Sequence, residues 1–195
     1  MVQVLKEELR QAIIRHAQDE FFQYGYAAAS VKRIAAKAGI SVGNLYRYYS
    51  GKDILFEAIV APVYLEWETL ISHHAGPLQR ERNVFELVVE ALTHVVGEYR
   101  IPLLILIDGT GGTRYENAVS KFHQMMADNV AHHLAQYNGN QKQEVFDRQT
   151  AWPVAVAFMQ GYFEIIRSHP DSEDCKHSIR QYILFWYQGL RAFLS

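Results

Sequence analysis

Residues 30–49 read Ser30-Val-Lys-Arg-Ile-Ala-Ala-Lys-Ala38, then Gly39-Ile40, then Ser41-Val-Gly-Asn-Leu-Tyr-Arg-Tyr-Tyr49, two short helical segments around a tight turn. In the first segment Ser30 is a helix N-cap, and Val31, Ile34, Ala35 and Ala38 recur at the three-and-four spacing of a buried helical face. Gly39 supplies the left-handed residue that ends a helix. Ser41 caps the second segment, in which Val42, Leu45 and Tyr49 repeat the apolar spacing. Gly43, Asn44, Tyr46, Arg47 and Tyr48 are left facing outward, a set rich in groups that contact phosphates and base edges. The pattern is that of a helix-turn-helix.

Working outward, Leu9, Ile13, Ala17 and Phe21 stand at steps of four on a preceding helix that Gly25 is expected to close, and this helix braces the two reading segments. Downstream, Ser50-Gly51-Lys52-Asp53 has the form of a capping box, with Ser50 as N-cap of a helix running to about His74. Together Ile13, Ala17, Phe21, Gly25, Ser30, Ile34-Ala35, Ala38-Gly39-Ile40-Ser41, Gly43, Leu45-Tyr46, Tyr48-Tyr49, Lys52 and Leu55 resemble the N-terminal domain of the TetR (TetR/AcrR-type) family of bacterial transcriptional regulators. The resemblance covers roughly the first 60 residues; beyond them it extends only to length and helical pattern. The family often has Thr where this chain has Ala29, so a phosphate-binding hydroxyl is missing there and Ser30 serves alone.

Charge is distributed as this reading requires. Residues 1–52 carry eight Lys or Arg against four Asp or Glu, and residues 53–195 carry eleven against seventeen, so a net charge of −2 conceals a basic head and an acidic body. A phosphate backbone is drawn to the first and not to the second. The expected domains are therefore a DNA-binding head over 1–52 and a helical ligand-binding and dimerisation domain over 53–195.

The body reads as helices separated by Gly76-Pro77, Pro102, the loop Asp108-Gly109-Thr110-Gly111-Gly112, Asn138-Gly139-Asn140 and Ser168-His169-Pro170-Asp171. Pro153 either kinks its helix or marks its start. Strand-like alternation is absent, so the expected fold is all-α, with a three-helix head and a larger helical bundle making about nine helices in all. The last two helices carry Phe158, Tyr162, Phe163, Ile183, Trp186 and Leu190, an apolar density that points to pairing with a second copy in a homodimer. Proteins of the resembled family dimerise through the same two elements.

The candidate DNA-contacting residues are Ser30, Lys32, Ser41, Val42, Gly43, Asn44, Tyr46, Arg47, Tyr48 and Lys52. Arg47 suits guanine or phosphate and Asn44 suits adenine or phosphate, while the Tyr46 ring suits a thymine methyl and Gly43 permits close approach. The family resemblance assigns Tyr48 and Lys52 to phosphates. Tyr49 is expected in the core of the head, and Lys32, Arg33 and Lys37 can also be read as a solvated basic flank. A dimer would meet a palindromic double-stranded operator. By the same resemblance the body would bind a small-molecule effector that releases DNA, with Tyr64, Trp67, His94, His123 and Trp152 as candidate lining residues.

Other chemistries find little footing. Adjacent histidines, His73-His74 and His132-His133, point about 100° apart on a helix and do not chelate as a step of four does, so no metal is expected. The Asp108–Gly112 loop lacks the Lys and hydroxyl residue of a phosphate loop. Cys175 is read as a surface thiol without a role. No nucleophile-base pair or cofactor loop stands at a recognisable spacing, so neither catalysis nor a cofactor is expected. The longest apolar run, Ile101–Ile107, is far shorter than the roughly 20 residues of a membrane span, and a cytoplasmic protein is expected. The rival to a repressor is a helical adaptor with a vestigial helix-turn-helix.

Overall fold

The spacing of Ile13, Ala17 and Phe21 builds α1, Val2–Ala28, and buries those three side chains completely. The computed structural model describes residues 2–73, 82–139 and 145–194. Gly25 ends the long segment of α1 as expected, at φ 66° and ψ 171°, a region open essentially to glycine alone, and only a short continuation to Ala28 follows it. Beyond it the Tyr26 amide donates to the Gly109 carbonyl at 2.8 Å, so the helix resumes with an outside acceptor in place of its own.

The remaining elements are α2 (Val31–Lys37), α3 (Val42–Leu45), α4 (Lys52–His73), α5 (Arg82–Asp108), α6 (Ala118–Gly139), a 3-10 turn over Arg148–Thr150, α7 (Ala151–Ser168) and α8 (Ser172–Leu194). The described residues thus form eight α-helical spans and no strand, against about nine helices expected. The span α5 consists of two helical segments that meet at a kink at Tyr99, where φ is −127° and ψ is 20°, so the punctuation expected at Pro102 falls three residues earlier and the proline sits in the first turn of the second segment. The run after the proline, Leu103 to Leu106, is buried on every side. Pro153 falls in the first turn of α7, where its missing amide leaves no bond unmade. The start of α4 lies one residue later than the capping-box reading: the Leu55 amide bonds the Gly51 carbonyl, so Gly51 rather than Ser50 stands at the cap. The Gly76-Pro77 break and Asn140 lie outside the described residues.

Two compact units result. One comprises Met1–Leu65 with Ile101–Ala118, and the other Glu66–Arg100 with Val119–Ser195. The head expected over 1–52 lies within the first unit, which also takes the start of α4 and the end of α5. Its core joins Phe21 to Phe56 edge-on at 5.0 Å, Tyr26 to Phe56 at 5.0 Å, and Tyr64 to Tyr115 at 5.3 Å. The second unit is centred on Trp67, against which Phe122, Tyr162 and Phe163 pack at 5.3–6.0 Å between ring centres. The Tyr162 hydroxyl donates to the Leu92 carbonyl at 2.8 Å, and Arg100 Nη2 donates to the Ile166 and His169 carbonyls at the end of α7. Gly161 lets α8 approach α7, because a Cβ there would lie 2.3 Å from the Tyr182 hydroxyl, which instead donates to the Ala157 and Phe158 carbonyls.

Candidate nucleic-acid interface

Two local caps set the helix-turn-helix. Ser30 Oγ accepts the Arg33 amide at 3.4 Å, and Ser41 Oγ accepts the Asn44 amide at 3.1 Å, each satisfying a donor that a helix start leaves free. Gly39 turns the chain at φ 70°, and the Gly39 and Ile40 amides return to the Ala36 and Ala35 carbonyls. The second helix is shorter than the expected Ser41–Tyr49. Regular α-helix ends at Leu45, and Tyr46 to Tyr49 continue in turns that mix three- and four-residue bonds.

The outward and inward sets separate as the spacing requires. Leu45 and Tyr49 are buried, and Tyr49 receives a hydrogen bond from Arg10 Nε at 3.3 Å. Lys32, Ser41, Gly43, Tyr46 and Arg47 are exposed, Tyr46 by 45%, while Ser30, Val42, Asn44, Tyr48 and Lys52 are half-buried. All ten candidate DNA-contacting residues therefore lie on the two capped helices, the turn after α3 or the start of α4, and none is fully buried. Lys52 is already engaged: its ammonium donates to the Ala27 carbonyl at 3.3 Å and lies 4.5 Å from the Tyr26 ring centre. Burial lowers its pKa, with Glu20 opposing that shift and Arg33 adding to it.

Glu20 and Arg33 escaped the sequence reading in the roles they hold. Glu20 is fully buried; its Oε1 accepts the Ser30 amide at 2.8 Å and Arg33 Nε at 2.7 Å, and Arg33 Nη2 closes the ion pair. Burial pushes the Glu20 carboxyl up, but the Arg33 bond, the Ser30 amide and the charges of Arg33 and Lys37 outweigh it, and its pKa is lowered. Arg33 also donates to the Ala28 carbonyl at 3.1 Å and stacks 4.5 Å above the Tyr24 ring. It is thus not a freely solvated flank residue. The available signal was Glu20 itself, a charge three residues from Ala17 and seven from Ile13, on the apolar face of α1, where a carboxylate requires a partner.

Of the candidate effector residues, His123 and Trp152 meet and the others stand apart. Trp67 belongs to the core of the second unit, its indole N–H without a hydrogen-bond partner among the described residues. His123 is buried and lies edge-on to the half-exposed Trp152 at 6.2 Å, with Gln160 Nε2 at 3.4 Å from His123 Nε2. Burial lowers the His123 pKa and favours the neutral ring. His94 is exposed, and Tyr64 packs on Tyr115 in the first unit. A shallow depression of about 360 Å³ is lined instead by Ile71, Ser72, Met125, Asp128, Asn129 and His132.

Of the candidate dimer residues, Tyr162, Phe163 and Ile183 are buried in their own copy, because they fill the core around Trp67 and the α7–α8 seam. Phe158 and Trp186 are half-buried and adjoin Tyr182 and the 74% exposed Phe185, while the Leu190 side chain lies outside the described residues. Cys175 is buried, not a surface thiol, since it leads the inward row Cys175, Ile179, Ile183 on α8; burial raises its pKa. Among the described residues no helix is long and apolar enough to cross a membrane.

Residues 13–59 match the model of the bacterial regulatory proteins, tetR family. The nucleoid occlusion factor SlmA of Haemophilus ducreyi is 24% identical over 170 residues, covering 83% of this chain and 82% of that protein. The HTH-type transcriptional regulator UidR of Escherichia coli K12 is 24% identical over 147 residues, covering 74% and 72% respectively. Among solved structures, a TetR-like transcriptional regulator from Rhodococcus sp. RHA1 shares the fold, with a TM-score of 0.61 at 22% identity over 94% of this chain and 96% of that one.

Proposed function

We propose that this chain, a TetR-family transcriptional regulator and not an enzyme, acts as a homodimeric repressor that sits on a palindromic operator and leaves it when a small-molecule effector binds the C-terminal domain. The observation that carries the DNA-reading step is the division of one short segment, in which Leu45 and Tyr49 anchor inward while Tyr46 and Arg47 stand exposed beside Gly43. Asn44, Tyr46 and Arg47 read base edges. Ser30, Lys32, Ser41, Tyr48 and Lys52 hold the phosphates, and Val42 packs at the groove wall.

Each head offers only a few reading side chains, so dimerisation doubles the contact and imposes two-fold symmetry on the operator. The exposed Phe185 with half-buried Phe158 and Trp186 forms the apolar patch for that pairing. A dimer on a promoter blocks polymerase by occupancy and needs no activating surface. The effector acts by preferring one of two arrangements of the heads, which is the whole of the coupling required. The functional division remains a head over 1–52 and an effector and dimer domain over 53–195, in a cytoplasmic protein.

Selection of bound sequences from a random duplex pool by the purified protein tests this. An enriched palindrome that is lost when Tyr46 and Arg47 are both changed to Ala is the expected result. Weak binding without a preferred sequence would overturn the reading in favour of a helical adaptor.

A further inference from the structure

Arg33 stands where a phosphate ligand would be expected. It follows Lys32 in the first turn of α2, three residues after Ser30, and its side chain is 47% exposed. A guanidinium so placed would bind any phosphate backbone, whatever the sequence beneath. Instead it is held on three sides, by the Glu20 carboxylate, the Ala28 carbonyl and the Tyr24 ring. Among the described residues Glu20 is the sole fully buried carboxylate, and the same oxygen that binds Arg33 accepts the amide of Ser30, the cap of α2.

We propose that Glu20 is a positioning residue of the DNA interface, which withholds Arg33 from the phosphate backbone and pins the Ser30 end of α2. The inference rests on the DNA-binding reading above. Of the three anchors only the carboxylate opposes the guanidinium charge, so it decides whether Arg33 competes for phosphate. The pair also balances the field at Lys52, whose charged form Glu20 favours and Arg33 disfavours. Lys52 is left on the Ala27 carbonyl and the Tyr26 ring, from which a phosphate can draw it. The head thereby leaves phosphate binding to Lys32 and Lys52 and keeps Arg33 out of sequence-independent binding.

The test is the salt dependence of binding to a random-sequence duplex, measured on the full chain by fluorescence anisotropy across a KCl titration. Glu20→Gln keeps the shape and an acceptor for the Ser30 amide but removes the charge. It should steepen the slope of log affinity against log salt by about 0.9, the equivalent of one added phosphate contact. Arg33→Ala alone should leave the slope of the unsubstituted chain unchanged, and Glu20→Gln with Arg33→Ala should restore that slope. Arg33→Gln, which retains a donor toward the carboxylate, replaces Arg33→Ala if the latter does not melt cooperatively. An unchanged slope in Glu20→Gln, or a slope flattened by about 0.9 in Arg33→Ala, would overturn the proposal while leaving the DNA-binding reading intact. Failure of the unsubstituted chain to bind any duplex would overturn both.

Discussion

The recognition segment of the head and the aromatic centre of the second unit relate residue type to exposure in opposite ways. Around α3, polar and aromatic side chains that spacing directs outward are outward, and Tyr46 and Arg47 meet solvent. Around Trp67, side chains of the same aromatic kind turn inward: Phe122, Tyr162 and Phe163 pack on the indole, and all are buried. The difference lies in range. A short helix capped at Ser41 and closed at Tyr46 fixes its faces by local hydrogen bonds, whereas long helices rich in aromatic residues have more than one apolar face to offer, and their neighbours choose among them.

That contrast can be broken first at its largest expected effect. Trp67→Ala should cost about 3–5 kcal/mol of stability in urea unfolding, through a cavity at the centre of the second unit, while Trp152→Ala, on a 46% exposed side chain, should cost about 0.5 kcal/mol or less. Equal losses would mean that the core is not centred where the packing places it. Next, Tyr46→Ala and Arg47→Ala should each weaken operator binding by about 1–3 kcal/mol while leaving urea stability within about 0.5 kcal/mol. A loss of stability matching the loss of binding would move these side chains from the interface into the fold.

Smaller still, Ser41→Ala should lower stability by about 1 kcal/mol, because the Asn44 amide loses its acceptor at the start of α3. A neutral result in thermal melts would show that the turn, not the cap, holds the second helix. The finest comparison is in pH. Glu20 has a folded pKa below its ordinary 4.5, so its contribution is complete above that value and is lost as pH falls through the folded pKa. His123, lowered from 6.5, resists protonation in the folded state, so stability should decline as pH falls below 6.5. Glu20→Gln should therefore flatten the acid limb below about pH 4.5, and His123→Gln the decline that begins below about pH 6.5, in urea midpoints recorded against pH. Unchanged limbs would assign the acid sensitivity to other groups.

The legibility of the two regions follows the same division. Ser30, Gly39 and Ser41 were readable as caps and turn because each acts on backbone within four residues of itself. The inward rows Ile13, Ala17, Phe21 and Ile34, Ala35 were readable because their period is that of the helix. Glu20 was not read, although it broke one of those rows, because its partner Arg33 lies thirteen residues away on another helix. Tyr162 and Phe163 suit an interface by sequence and are buried within their own chain in the structure, because apolar density alone does not tell a partner in the same chain from a partner in another.

The sequence by itself determined the helical class, the capped pair of short helices, the basic charge of residues 1–52 and the outward set at Asn44, Tyr46 and Arg47, all consequences of spacing and of charge along the chain. Only the tertiary structure decided that the kink in α5 falls at Tyr99, that Gly109 supplies an acceptor to Tyr26, that Arg33 is bound to a buried carboxylate and that Trp67 is core. These depend on groups brought together from distant positions. In each case burial removes water as the alternative partner, so the neighbour supplied by the fold, and not the residue's own preference, sets its role.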